Sequence, residues 1–220
     1  MEDYKLVIFD CDGVLVDSEM ISAQVIADVL RPIGINLTAE ESYKTFVGGS
    51  MAETLSYVED KLGYMPDVDI KENYRRLSFS AYREKMKPVK GVVNILNSLN
   101  VEKCVASNGP KAKIDLNLEI TNLKKFFDPN KIFSAYDIQK WKPDPTLYLN
   151  AAEVCGVDPS QCIVIEDSIH GLVAAEAAGM KSFGISYPIK PLPTNIKGSI
   201  VHSNMQMIKE ELELLGLMKN

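Results

Sequence analysis

Two carboxylates lie two residues apart just after an apolar segment near the start of the chain. Residues Leu6–Phe9 are apolar, and Asp10, Cys11, Asp12 and Gly13 follow them directly. Side chains at positions i and i+2 of an extended segment share a face, with Cα atoms roughly 6–7 Å apart. Both acids can therefore reach one small electrophile, one as a nucleophile or metal ligand and the other as a proton donor. The alternative is an acidic strand end that only caps the next turn.

A second acidic pair follows another apolar segment. Residues 162–165 are strand-like and lead into Glu166 and Asp167. Two further carboxylates beside the first pair would repel it unless a cation were present, and a hard divalent metal with oxygen ligands, Mg²⁺, is the simplest solution. In isolation, Asp167 could instead cap the helix that follows.

Two other segments carry groups suited to an anion. Ser107 and Asn108 follow the strand-like residues 103–106, and a hydroxyl beside a flexible turn can offer its Oγ and backbone N–H groups. Lys142 precedes a proline-rich turn, and a lysine ammonium is a compact charge suited to phosphate. The alternatives are an ordinary loop at the serine and a solvated lysine before a helix.

Bulk properties exclude several classes of protein. The chain has 220 residues and a formal net charge of −6, which argues against broad nucleic-acid binding because that requires a basic surface. Its four cysteines form no CxxC pair, so we expect a reduced, cytoplasmic protein. A strand follows the first few residues, and no apolar segment approaches the ~20 residues of a membrane span. We therefore expect neither a signal peptide nor a membrane anchor.

Strand and helix patterns alternate along most of the chain. Five strand candidates follow the first one, at residues 103–106, 131–134, 162–165, 181–185 and 199–201. Helical patterns separate most of them, at residues 92–99, 146–154 and 171–178. This alternation predicts an α/β fold with a Rossmann-like, mostly parallel sheet covered by helices on both faces. Ligands of such sheets bind beyond the carboxyl ends of the strands.

A long insertion separates the first two strands. About ninety residues lie between them, whereas a βαβ crossover needs only a dozen or more. The insertion reads as helical, with capping-box patterns that begin at Thr38 and Ser50. A helical domain in this position can close over the site and exclude water. The predicted division is a helical cap domain at residues 18–88 and an α/β core domain at residues 1–17 and 89–220.

The acidic, serine and lysine segments resemble a known set of motifs. The segments Asp10-Cys11-Asp12-Gly13-Val14, Ser107-Asn108, Lys142-Pro143-Asp144-Pro145 and Glu166-Asp167-Ser168 occur in the order of the four motifs of the haloacid dehalogenase (HAD) superfamily. The resemblance extends along the whole chain, and the insertion is similar to the cap of the β-phosphoglucomutase-like subgroup. Residues 107–110 and 133–145 also resemble the bacterial 6-phosphogluconate phosphatases. The resemblance implies a monomeric, Mg²⁺-dependent phosphatase of a small sugar phosphate, with 6-phosphogluconate as the first choice.

The resemblance also implies a role for each site residue. Asp10 would attack the phosphorus and form an aspartyl-phosphate. Asp12 would protonate the leaving oxygen and then accept a proton from water. The groups that hold the phosphoryl oxygens would be Ser107, Asn108 and Lys142. The metal ligands would be Asp10, the backbone carbonyl of Asp12, Asp167 and, directly or through another residue, Glu166.

Three other activities use similar sites. Haloacid dehalogenases lack an acid two residues after the nucleophile, so Asp12 argues against them. A β-phosphoglucomutase carries a lid histidine, which residues 17–22 lack, and a lid arginine, which residues 48–51 lack. A sugar-phosphate mutase nevertheless stays as the enzymatic alternative. A phospho-aspartate signalling module is the non-enzymatic one, although such modules place their phosphorylated acid on a later strand.

Overall fold

The computed structural model describes residues 3–46, 49–189 and 191–219. The chain forms two compact units, Met1–Val16 with Lys87–Asn220, and Asp17–Met86. The bounds expected from the sequence, 18–88 for the cap and 1–17 with 89–220 for the core, differ from these by one or two residues. Gly48, one of the positions at which the lid arginine of a mutase is missing, lies outside the described residues.

The second unit is helical. Its helices are α1 (Glu19–Leu30), α2 (Ala39–Phe46), α3 (Met51–Leu62) and α4 (Ile70–Lys85). Both predicted capping boxes form. The Thr38 N–H donates to Glu41 Oε2 (2.8 Å) and the Glu41 N–H donates to Thr38 Oγ1 (3.2 Å), while Ser50 and Glu53 pair in the same way. The apolar faces of the helices bury a common cluster, with members Val25, Leu30, Phe46, Val58 and Ile70.

The first unit contains a parallel six-stranded sheet, as predicted. Its strands are β1 (Leu6–Phe9), β2 (Glu102–Ser107), β3 (Ile132–Ser134), β4 (Cys162–Glu166), β5 (Lys181–Ile185) and β6 (Ser199–His202). They lie in the order β3-β2-β1-β4-β5-β6. The chain steps to one side of β1 for β2 and to the other side for β4. The crevice beyond the carboxyl ends of β1 and β4 is therefore a topological switch point, where open α/β sheets bind ligands.

Helices cover this sheet and fix its strand ends. They are α5 (Val92–Ser98), α6 (Lys111–Ile120), α7 (Ala135–Ile138), α8 (Thr146–Cys155), α9 (Ile169–Ala177) and α10 (Met205–Leu214). The helical patterns read from the sequence did not predict α7 or α10. Side chains of β1, β2 and β4 pack with those of α8 and α9 in one buried cluster, which includes Ile8, Cys104, Tyr148, Val164 and Ala174. None of the helices in the described part of the chain combines the length and apolar character that a membrane span requires.

Candidate active site

The loop that follows β1 has a fixed backbone. Asp10 still belongs to the ladder, because its N–H donates to the Ile165 carbonyl (3.0 Å). Gly13 has a φ of +73°, in the left-handed region that favours glycine, and its N–H donates to the Val16 carbonyl (2.9 Å). The Tyr187 hydroxyl donates to the Gly13 carbonyl (2.6 Å). The loop thus presents both acids of the first pair at the carboxyl edge of the sheet.

A buried lysine lies between two of the predicted carboxylates. Lys142 Nζ is 2.5 Å from Asp10 Oδ1 and 2.8 Å from Glu166 Oε1. The side chains of Lys142, Asp10 and Glu166 are 2%, 10% and 1% exposed. The ammonium also lies 4.8 Å from the centroid of the Tyr148 ring. Residues from three predicted motifs therefore meet in one ion cluster.

Each carboxylate oxygen of Glu166 accepts two hydrogen bonds. Oε1 accepts from Lys142 and from the Tyr148 hydroxyl (3.2 Å). Oε2 accepts from the N–H (2.7 Å) and the hydroxyl (2.9 Å) of Ser168. Gly171 closes the pocket from α9, since a Cβ there would lie 2.0 Å from Oε1. Glu166 is thus fully engaged in holding Lys142 and the start of α9.

Burial acts on the pKa values of Asp10, Lys142 and Tyr148. Burial raises the pKa of Asp10 to about 7, with Glu166 and Asp12 acting in the same direction and the ammonium of Lys142 in the opposite one. Burial acts to lower the pKa of Lys142, but Asp10 and Glu166 outweigh it and hold that pKa well above its ordinary value. Burial, reinforced by Glu166, raises the pKa of Tyr148 well above its usual range, so this phenol stays a neutral donor. Lys142 is consequently a permanent cation.

Asp167 lies directly against the loop that follows β1. A Cβ on Gly13 would lie 2.0 Å from Oδ2 and 2.5 Å from Cγ of Asp167. Gly13 is therefore required both for its positive φ and for the close approach of this carboxylate. The two acids of the second pair therefore have different neighbours. Asp167 lies against the loop that follows β1, whereas Glu166 pairs with Lys142.

Two partners of Asp12 come from α6. Oδ2 of Asp12 accepts from Lys113 Nζ (2.8 Å), and Oδ1 accepts from Asn117 Nδ2 (3.2 Å). The side chains of Lys113 and Asp12 are 22% and 19% exposed, whereas Asn117 is fully buried. The two acids of the first pair thus face different lysines, Lys142 at Asp10 and Lys113 at Asp12.

The predicted phosphate-binding residues at the end of β2 lie in the same part of the unit. The buried Ser107 accepts a hydrogen bond from the Gly109 N–H (3.2 Å). Asn108 bonds the peptide of Lys142 in both directions, because Oδ1 accepts from its N–H (2.9 Å) and Nδ2 donates to its carbonyl (3.4 Å). This amide fixes the backbone of Lys142, and its contact with a phosphoryl oxygen stays a prediction.

The oxygen donors around the end of β1 suit a hard cation. Within the described ranges, no three or more His, Cys, Asp or Glu side chains are gathered as a metal site. The carboxylates of Asp10, Glu166 and Asp167 nevertheless lie around this strand end, where Lys142 contributes one positive charge. A divalent cation with oxygen ligands would offset their repulsion. The chemistry of these oxygen donors therefore suits Mg²⁺, and Glu166, whose oxygens already accept four hydrogen bonds, has the least capacity left to bind it.

The sequence analysis missed four residues that shape the site. They are Lys113, Asn117, Tyr148 and Tyr187. The first two carried a signal, since residues four apart share one face of any helix that follows the turn after Asn108. The two tyrosines carried no such signal, because local spacing shows neither the direction of their side chains nor the residues that they contact.

Comparisons with known proteins show the family of this chain. A family model described as haloacid dehalogenase-like hydrolase matches residues 7–185. The chain is 34% identical over 184 residues to the 6-phosphogluconate phosphatase of Escherichia coli K12, a match that covers 83% of each chain. It is 28% identical over 186 residues to hexitol phosphatase B of that organism, which covers 82% of this chain and 83% of the relative. A HAD family hydrolase from Deinococcus radiodurans R1, solved with bound phosphate and sodium, gives a TM-score of 0.84 at 28% identity and covers 99% of each chain.

Lys142→Met tests the energetic weight of the buried lysine. Removing it leaves two buried carboxylates without their cation, which should lower the free energy of unfolding by about 3–5 kcal/mol. The measurement is urea denaturation in EDTA. Lys140→Met is the control, because Lys140 is 56% exposed and pairs with Asp144 at 3.6 Å, a surface pair worth about 0–1 kcal/mol. Equal losses in the two variants would contradict this account.

Gly13→Ala tests the approach of Asp167 to the loop. The new Cβ must turn the Asp167 carboxylate away, and a displacement of about 1 Å near the chemistry can cost about 10²-fold in turnover. Gly156→Ala has nearly the same φ (+68°) with no atom within 4 Å, so it matches the backbone strain alone. Phosphate release should fall in the first variant and stay near wild type in the second. A fall of the same size in both would mean that backbone strain, not Asp167, is responsible.

Proposed function

We propose that this chain, which belongs to the haloacid dehalogenase-like hydrolase family and is a phosphatase, is a Mg²⁺-dependent hydrolase of a small sugar phosphate, with 6-phosphogluconate as its substrate. One observation carries the proposal, namely the buried Asp10–Lys142–Glu166 cluster beside a second acid at the switch point of the sheet. The identity to 6-phosphogluconate phosphatase supports the choice of substrate.

In the proposed first half-reaction, Asp10 is the nucleophile. One of its carboxylate oxygens attacks the phosphorus in line while the bond between phosphorus and the sugar oxygen breaks. Asp12 gives its proton to that oxygen, which leaves as the sugar hydroxyl. Lys142, already beside Asp10, stabilises the charge on the phosphoryl oxygens.

In the proposed second half-reaction, water releases the phosphate. Its oxygen attacks the phosphorus and the bond to Asp10 breaks, which restores that carboxylate. Asp12, ionised by the first half-reaction, takes the proton from the water. Each acid ends as it began, and proton transfer by such a positioned group contributes about 10²–10⁴-fold.

The remaining roles in the proposed site are to bind the phosphoryl group and the metal ion. Ser107 and Lys142 are the proposed ligands of the phosphoryl oxygens. Asp10, Asp167 and the backbone carbonyl of Asp12 are the proposed ligands of Mg²⁺. When bound, Mg²⁺ would offset the repulsion between an anionic nucleophile and an anionic phosphate. Two further residues receive supporting roles: Glu166, expected as a metal ligand, and Asn108, expected as a phosphate ligand. The polar atoms of both already form hydrogen bonds with Lys142 or residues near it.

Asp10→Asn and Asp12→Asn should each abolish multiple turnover while keeping the fold. Both substitutions are nearly isosteric, and each removes either the nucleophile or the transferable proton. The variants should differ with ³²P-labelled sugar phosphate, because phosphate attached to the protein requires Asp10 itself. Wild-type turnover in Asp10→Asn, with deamidation excluded by mass spectrometry, would contradict the proposed function.

Excess EDTA should abolish activity, and Mg²⁺ should restore it. Ca²⁺ should not, because it takes more ligands at longer distances and so misaligns an in-line attack. The assay is phosphate release from 6-phosphogluconate, glucose 6-phosphate and β-glucose 1-phosphate. Full activity in EDTA would refute the metal requirement. Conversion of β-glucose 1-phosphate into glucose 6-phosphate without phosphate release would favour the mutase instead.

A further inference from the structure

We propose that Lys113 and Asn117 are positioning residues that fix the carboxyl group of Asp12 for proton transfer to the leaving oxygen. This inference rests on the proposed function, because it concerns the acid of the first half-reaction. The observation that carries it is that both oxygens of this carboxyl group are held from one face of one helix.

The geometry of the contacts restricts rotation of the carboxyl group. Lys113 and Asn117 are four residues apart in α6, so their side chains lie one helical turn apart on the same face. Lys113 Nζ is 2.8 Å from Oδ2 of Asp12, and Asn117 Nδ2 is 3.2 Å from Oδ1. Donors on both oxygens fix the plane of the group, whereas one donor would leave it free to turn. A proton donor held from a regular helix is positioned more precisely than one held from a loop.

The burial of Asn117 is costly for stability. This side chain is fully buried, as are those of Ile114 and Leu118, two apolar residues of the same helix. Its Oδ1 is buried and makes no hydrogen bond within the described part of the structure. A buried acceptor without a donor destabilises the fold, and an apolar side chain here would avoid that cost. In exchange, Nδ2 of Asn117 donates to Asp12, a contact that an apolar side chain could not make.

The contacts suit the charge that develops on Asp12 during the step. As the proton moves to the sugar oxygen, the electron pair of the breaking bond to phosphorus stays on that oxygen, and the carboxyl group becomes negative. The ammonium of Lys113 and the amide of Asn117 keep their own protons and already face this charge, so they need no reorganisation. An interaction that strengthens during the step lowers its barrier. A leaving group that is stable as an anion, such as p-nitrophenolate, departs without the proton and does not need these contacts.

The test compares two leaving groups. We would measure kcat/KM with Mg²⁺ for 6-phosphogluconate, as the sugar ester, and for p-nitrophenyl phosphate, as the aryl ester, since this constant reports the steps up to departure of the leaving group. Lys113→Met should lose about 10²-fold with the sugar ester, within the range for a misplaced acid, and stay near wild type with the aryl ester. Asp12→Asn, which should not turn over repeatedly, is the reference in single-turnover measurements of leaving-group release and should show a larger split of the same kind.

Lys131→Met is the matched control. Lys131 pairs with Glu102 at 3.1 Å in the same unit, at the opposite end of β3 from the site. Its side chain is 23% exposed, against 22% for Lys113. The control should keep wild-type values with both esters.

Two further variants separate positioning from folding. Lys113→Arg should recover most of the activity with the sugar ester, because a guanidinium can donate to the same oxygen. Asn117→Ala should show the split between esters while it still unfolds in one cooperative thermal transition, which gives a readout if Lys113→Met does not fold.

The outcomes distinguish the two proposals. Equal losses with both esters in Lys113→Met and Asn117→Ala, or wild-type values in both, would overturn the positioning role. If wild type releases phosphate and Asp12→Asn alone shows the split, only this inference fails. If wild type hydrolyses neither ester, or Asp10→Asn turns over normally, the proposed function fails and the positioning role fails with it.

Discussion

A lysine and two carboxylates can be buried at the end of a parallel sheet only if all three are paired, because each lone charge would cost several kcal/mol, on the order of the stability of a domain. Lys142 between Asp10 and Glu166 meets this condition. The pairing is non-local, since the three residues come from β1, β4 and the loop before α8. Those strands and that loop must therefore be held in register before the site can exist.

Much of the surrounding structure serves this pairing. The amide of Asn108 holds the backbone of Lys142, the hydroxyl of Tyr148 and the N–H of Ser168 hold Glu166, and the ladder between β1 and β4 holds Asp10. The positions of the carboxylates also explain why glycine occurs at two positions beside them. Gly171 makes room for Glu166 and Gly13 makes room for Asp167, so each acid of the second pair has its own glycine. Most of the polar groups at the edge of the sheet thus have structural partners before any substrate arrives.

The sequence predicted the strands and loops that carry the site better than the side-chain contacts within it. Strand bounds such as Leu6–Phe9 follow from apolar runs that end in acidic residues, and parallel sheets bring such ends together. Capping boxes at Thr38 and Ser50 are local and were read correctly. The division of labour within Glu166 and Asp167 was not readable, because it depends on which acid meets Lys142 across the fold. The same holds for Tyr148 and Tyr187, whose hydroxyls reach residues far away in the sequence.

The two acids of the first pair are equivalent in sequence but not in structure. Asp10 is nearly inaccessible and faces a fully buried lysine that supplies a permanent charge, an environment suited to a nucleophile whose partner must be an anion. Asp12 is more exposed, and its neighbours Lys113 and Asn117 are donors on a helix beside it. Because groups of one chemical type acquire different tasks only through different surroundings, β1 needs two separate sources of donors. The loop before α8 supplies one and α6 the other, and both elements follow strands that lie on the same side of β1, namely β3 and β2.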